Sequence, residues 1–332
     1  MTAKMKRREF ITLIGGAAAW PLAARAQQRE QMRRIGVLMP GVESDDEGQA
    51  RFKAFQDGLA RIGWSNGRNV QIDIRWGGVE TQMRAQLATE IVSLRPDVLF
   101  VGGTPELMAL RPARSIPMVF ANVADPIGGG FVASLGRPGG NITGFMSTEP
   151  PIASKWLQLL KGIAPGLRRA SLLFNPEVDS YAGEFFRHAE MAAAPLAVEL
   201  NAAPVYDEIE VAETLTTLGR EPNSGLMVMP ESFMRIHRVR VIALAAEHRL
   251  PAIYSGREYA GAGALISYGV DQTDLYRQAA SYVDRILRGG KPADLPVQAP
   301  TRFELIINLR TAKALGLNVS ADMRSIADEV IE

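Results

Sequence analysis

The sequence predicts an α/β protein of two similar lobes with parallel sheets, and three observations predict it. Short runs that are apolar on both faces alternate with amphipathic helical patterns, a βαβα rhythm that argues for parallel sheets covered by helices on both sides. The rhythm halts near Gly139-Gly140-Asn141 and Glu149-Pro150-Pro151, then restarts with units of similar size. No long flexible linker separates the halves, which favours a hinge over two independent domains.

Taken in order, Ile35–Met39 reads as a buried strand, and Gln49–Ile62 as a helix with Phe52, Phe55, Leu59 and Ile62 on one face. Val70–Ile74 is a second strand and Met83–Leu94 a second helix. Asp97–Val101 is a third strand, followed by a short helix from Pro105 and a fourth strand at Pro117–Ala121. After the junction, Trp156, Leu157, Leu160 and Ile163 share a helix face. Strands are then expected at Ala170–Phe174, Leu196–Leu200, Gly225–Met229 and Ala252–Tyr254. Helices are expected between them, at Ala182–Met191, Ile209–Leu218 and Arg238–His248. The remainder reads as a return rather than a third domain: a strand at Ala264–Ser267, a helix at Asp271–Leu287 with Leu275, Ala279, Val283 and Ile286 in line, then Phe303–Ile307 and a helix after Asn308.

The first residues indicate export. Lys4, Lys6, Arg7 and Arg8 precede an apolar run from Phe10 to Trp20, broken by Pro21 and closed by Ala24-Arg25-Ala26. This is the layout of a signal peptide at 1–26 cleaved near Ala26. The run is too short for the ~20 residues a permanent span needs. Arg7-Arg8-Glu9-Phe10 fits a twin-arginine signal, with an ordinary secretory leader as the alternative. Processing removes five basic residues (Lys4, Lys6, Arg7, Arg8, Arg25) and the acid Glu9, taking the formal charge from +1 to −3. A mildly acidic chain without a basic stripe argues against nucleic acid, and no later segment reads as a membrane span. With no cysteine, neither disulfides nor Cys-ligated zinc can hold the fold, and no lipidated N-terminal cysteine is possible.

Catalytic chemistry is not legible. His188, His237 and His248 have no metal-ligand spacing, and there is no nucleophile elbow, P-loop or reactive cysteine. Neither metal nor cofactor is expected. Asp45-Asp46-Glu47 reads as an acidic helix start. Polar groups concentrate instead at the carboxyl ends of the expected strands, where open α/β sheets bind ligands. Those positions supply Gly41, Thr104, Pro105, Asn122, Asp125, Asn175, Glu231 and Ser232 as candidate ligand-binding residues. Thr104 and Asp125 each precede a proline and are equally readable as helix caps. Tyr181, Tyr254 and Tyr268, with Tyr259, are candidate flat walls or ordinary packing.

Several stretches together resemble one family. They are Gly58-Leu59-Ala60-Arg61-Ile62-Gly63-Trp64 with Gly67-Arg68-Asn69-Val70, then Ala121-Asn122-Val123-Ala124-Asp125-Pro126 through Gly136-Arg137-Pro138-Gly139-Gly140-Asn141-Ile142-Thr143-Gly144, and finally Phe303–Asn308, Ala312–Leu317 and Ala327-Asp328-Glu329. These are similar to the ABC-importer substrate-binding proteins of the tryptophan/tyrosine-binding type, with a type I periplasmic-binding fold. The resemblance implies two Rossmann-like lobes joined by a multi-crossing hinge. Residues 33–146 with 252–290 would form one lobe, and 147–251 with 291–326 the other. It implies a monomer in the periplasm that closes on a small molecule, an amino acid or similar carboxylate, and presents it to an inner-membrane ABC permease. A sensory role at a membrane receptor is the alternative. The helix N-termini after Gly103 and Asp125 would receive the ligand carboxylate, Asp125 or Glu231 its amine, and a tyrosine its side chain. The chain departs from the family pattern at Pro230-Glu231-Ser232, where many relatives carry an Asp-Asn pair, and at Glu106, where small residues are usual.

Overall fold

In this computed structural model the described residues are 32–332 except Val79 and 178–180. The signal peptide read at 1–26, with its arginine pair and cleavage position, lies outside them. The first sheet contains β1 (Arg33–Met39), β2 (Val70–Trp76), β3 (Val98–Val101), β4 (Met118–Val123) and β5 (Ile142–Met146), all parallel, in the order β2-β1-β3-β4-β5. The second opens with β6 (Arg169–Phe174), β7 (Glu199–Pro204), β8 (Ser224–Val228), β9 (Ala252–Tyr254) and β10 (Ile266–Val270), again parallel, in the corresponding order β7-β6-β8-β9-β10. β11 (Phe303–Asn308) joins antiparallel beside β10, and β12 (Glu329–Ile331) runs parallel to β11.

Each lobe is cored by strands buried on both faces, so both must be covered by helices. In the first, α1 (Asp46–Arg61) begins at Asp45, whose side chain accepts from the Gly48 amide at 3.1 Å, with Asp46 and Glu47 in its first turn. Phe55 of α1 stacks on Phe100 of β3 at 4.0 Å, and Tyr276 meets Phe100 edge-on at 5.4 Å. Behind the sheet lie α2 (Thr81–Ser93) and α3 (Thr104–Leu110). In the second lobe, Trp156 of α4 (Ile152–Ile163) packs on Phe185 of α5 (Ala182–Ala193) at 5.7 Å. The opposite face is covered by α6 (Glu208–Arg220) and α8 (Arg238–Glu247), with the short α7 (Ser232–Ile236) and α9 (Arg257–Gly261) at the sheet's carboxyl end.

The lobe boundaries differ from the expected ones in two places. Residues 252–290 divide: β9 and β10 extend the second sheet, while α10 (Gln272–Leu287) returns to pack on α1 in the first core. Doubly buried apolar strands find a hydrogen-bonding edge beside β8. The one-sided apolar stripe of α10 needs another helix-covered sheet. Residues 291–300 stay with the first lobe, where Leu295 and Val297 are buried and the Gln298 amide donates to Gly144 O at 2.9 Å. The chain therefore crosses between lobes three times, after β5, after β10 and before β11. Phe303 packs against both cores at the last crossing, and Asp271 and Arg302 pair there at 3.4 Å. No helix among the described residues is long and apolar enough to cross a membrane.

Candidate functional site

Both sheets share a strand order that reverses between the first and third strands of each lobe, β1 and β3 in one, β6 and β8 in the other. Loops leaving such strands diverge to opposite faces and open a crevice at the carboxyl ends. In the first lobe this point is built by Pro40-Gly41 and Gly102-Gly103. The Tyr276 hydroxyl, from α10, donates to Gly102 O at 2.5 Å. A Cβ at residue 102 would lie 2.6 Å from Pro40 Cδ and 2.8 Å from Tyr276 Oη, so only glycine allows this approach.

Directly behind lies a charged group. Glu106, in the first turn of α3, is 1% exposed. Its Oε1 accepts from Arg84 Nε of α2 at 3.0 Å, and its Oε2 has no hydrogen-bond partner. Burial pushes the Glu106 carboxyl up, opposed by its own backbone amide, by Arg84 and by Arg235 of the second lobe. Arg235 also acts on the buried Tyr276 hydroxyl, while Glu258 and Arg238 of the second lobe act on Glu47 of α1. These influences run between lobes, so the two crevices face each other across one cleft.

The second-lobe wall is made by Asn175, after β6, and Glu231, after β8. Glu231 is 4% exposed and caps α7: Oε2 accepts from the Phe233 amide at 2.7 Å and Oε1 from the Asn175 amide at 3.2 Å. Asn175 spends its side chain locally, donating to Tyr206 O at 3.1 Å and accepting from the Glu177 amide at 2.9 Å.

The candidate residues thus fall into three groups. Gly41, Thr104 and Pro105 stand at the first-lobe crevice, with Gly41 at φ +76° and Gly103, not Thr104, as the N-cap of α3. Asn175, Glu231 and Ser232 stand at the second, with Ser232 exposed. Asn122 lies near the end of β4 and Asp125 just beyond it. Asn122 adopts φ +63° at a bulge, and Asp125 Oδ1 accepts from the Gly128 amide at 2.7 Å. Residues 126–130 form turns, so the helix expected after Asp125 is not there; three glycines at 128–130 favour a turn. Each tyrosine packs on another aromatic ring, and Tyr181 and Tyr268 remain partly exposed. Tyr254 is buried and stacks on Tyr259 at 5.1 Å; Tyr181 packs on Phe185 and Tyr268 on Phe303, each at 5.6 Å. Arg84, Arg235 and Tyr276 escaped the sequence reading. Tyr276 was legible only as one residue of an amphipathic helix, and nothing local to either arginine marks it. Among the described residues no group of three or more acids and histidines could hold a metal ion.

The model of the ABC transporter substrate binding protein family matches residues 35–331. The chain belongs to that family. A tyrosine-binding protein of Clostridioides difficile (strain R20291) is 27% identical over 274 residues, 81% of this chain and 78% of the relative. Among solved structures, the ABC domain from Streptococcus pneumonia in complex with L-Trp has a TM-score of 0.78 at 27% identity, covering 90% of this chain and 99% of that one. A conserved domain protein from Vibrio cholerae O1 biovar El Tor also has a TM-score of 0.78, at 26% identity over 90% of this chain and 100% of the other. This substrate-binding protein has the two-lobed type I periplasmic-binding architecture. Its family binds solutes and is not a family of enzymes.

Proposed function

We propose that this protein works in the periplasm as the solute-binding component of an ABC importer, closing its lobes as a monomer on an amino acid or similar carboxylate. The observation that carries the reading is the pair of facing crevices, each at a strand-order reversal, joined by three chain crossings that can bend together. Support for an amino acid comes from the tyrosine-binding relative and the L-Trp-bound neighbour. Binding would act by favouring the closed arrangement, in which the ligand and both crevice rims form one surface for a permease.

A thermal-shift panel of amino acids, short carboxylates and nucleosides tests the ligand class. A ligand taken only by the native state at a hundredfold over its dissociation constant adds ~2.7 kcal/mol of stability. The expected outcome is a clear rise in midpoint with aromatic amino acids. A rise confined to nucleosides would overturn the assignment.

A further inference from the structure

Two charged side chains at this cleft are not fully paired. Glu106 is the buried one, with Oε1 on Arg84 and Oε2 unmatched, a condition native proteins rarely leave uncompensated. That oxygen is buried against Gly103, which makes room for it: a Cβ there would lie 2.8 Å from Oε2. Arg235 is the exposed one, on α7 just past the second-lobe crevice, and it enters no ion pair among the described residues. The two do not touch, yet the Arg235 charge bears on Glu106 and on the Tyr276 hydroxyl pinned at Gly102. Opposite charges from opposite lobes therefore flank the first-lobe crevice. Of the other acids nearby, Glu231 is engaged by two backbone amides and Glu47 by Arg51 at 3.4 Å.

We propose that Glu106 and Arg235 are the specificity-determining ends of the ligand slot, Glu106 Oε2 accepting from the ligand's ammonium and Arg235 binding its carboxylate. An α-amino acid then bridges the first lobe to the second and holds them closed. This deepens the amino-acid reading above and rests on it. A zwitterion satisfies both ends, whereas a ligand lacking either charge leaves one of them unpaired, the situation in which polar sites discriminate most strongly.

The test is calorimetric titration of the exported protein with L-tryptophan, 3-indolepropionate (which lacks the ammonium) and tryptamine (which lacks the carboxylate). The wild type is expected to prefer L-tryptophan over each analogue by about tenfold or more, as for a hydrogen bond to a charged group. Glu106→Gln keeps an acceptor for Arg84 but turns an amide NH2 toward the ammonium. It should weaken L-tryptophan by about tenfold, leave 3-indolepropionate unchanged and so erase that preference. Arg235→Gln should likewise erase the preference over tryptamine. Wild-type affinity for L-tryptophan in both variants would overturn the slot alone, as would an equal loss for all three ligands. A wild type that binds neither L-tryptophan nor L-tyrosine would overturn the amino-acid reading and the slot with it.

Discussion

The Glu106 carboxyl sits between burial, which raises its pKa, and three groups that pull it back: its own amide, Arg84 and Arg235. Burial prevails, so the folded chain holds this proton more tightly than the unfolded one. The resulting stability is fully present below the ordinary value of 4.5 and is lost as pH rises through the raised one. Glu106→Gln lacks that decline. Urea midpoints compared from about pH 4 to pH 7 should show the variant gaining on the wild type, and a pH-independent difference would contradict the assignment. Glu47 is also raised, by burial and Glu258, but is common to both proteins and cancels. At Tyr276, replacement by Phe strands the buried Gly102 carbonyl and should cost about 1–3 kcal/mol in the same denaturation assay. Position 106 was visible in the sequence only as a departure from a family pattern. Its significance comes from Arg84 and Arg235, which lie far off along the chain.

Among the elements, α10 was legible because Leu275, Ala279, Val283 and Ile286 repeat at helical spacing, and all four are buried. Its partner was not, since periodicity says which face is apolar and nothing about what covers it. That partner is α1, approached at Gly58, where a Cβ would lie 2.7 Å from Arg277 O and 2.8 Å from Ala280 Cβ. Gly58→Val should therefore force the two helices apart and destabilise by about 1–3 kcal/mol, read by urea denaturation. An unchanged midpoint would mean the helices slide freely. Three strands differ from the sequence reading: β7, β5 and the three-residue β12, which lies beyond the last expected helix. β7 sits at a sheet edge with most residues exposed, so its pattern is weak and it was placed three residues early. β5 was missed although fully buried, because Thr143 and Gly144 interrupt its apolar run.

For the molecule as a whole, three crossings at one hinge permit bending while each lobe keeps its own core. Saturating L-tryptophan is expected to lower the radius of gyration measured by small-angle X-ray scattering, together with a raised thermal midpoint. A raised midpoint without compaction would mean that binding does not depend on closure. By itself the sequence determined the α/β class, the two lobes and the family, because the burial rhythm of strands and helices is written locally and the family's stretches are contiguous. Only the tertiary structure decided where the return segment divides and which polar groups remain available. Glu231 is consumed by its own helix start and by Asn175, and Asp125 by its own turn. Glu106 keeps a buried oxygen unmatched beside Gly103. The physical reason is that a side chain's freedom to bind depends on which donors the fold brings to it, and those donors come from other elements.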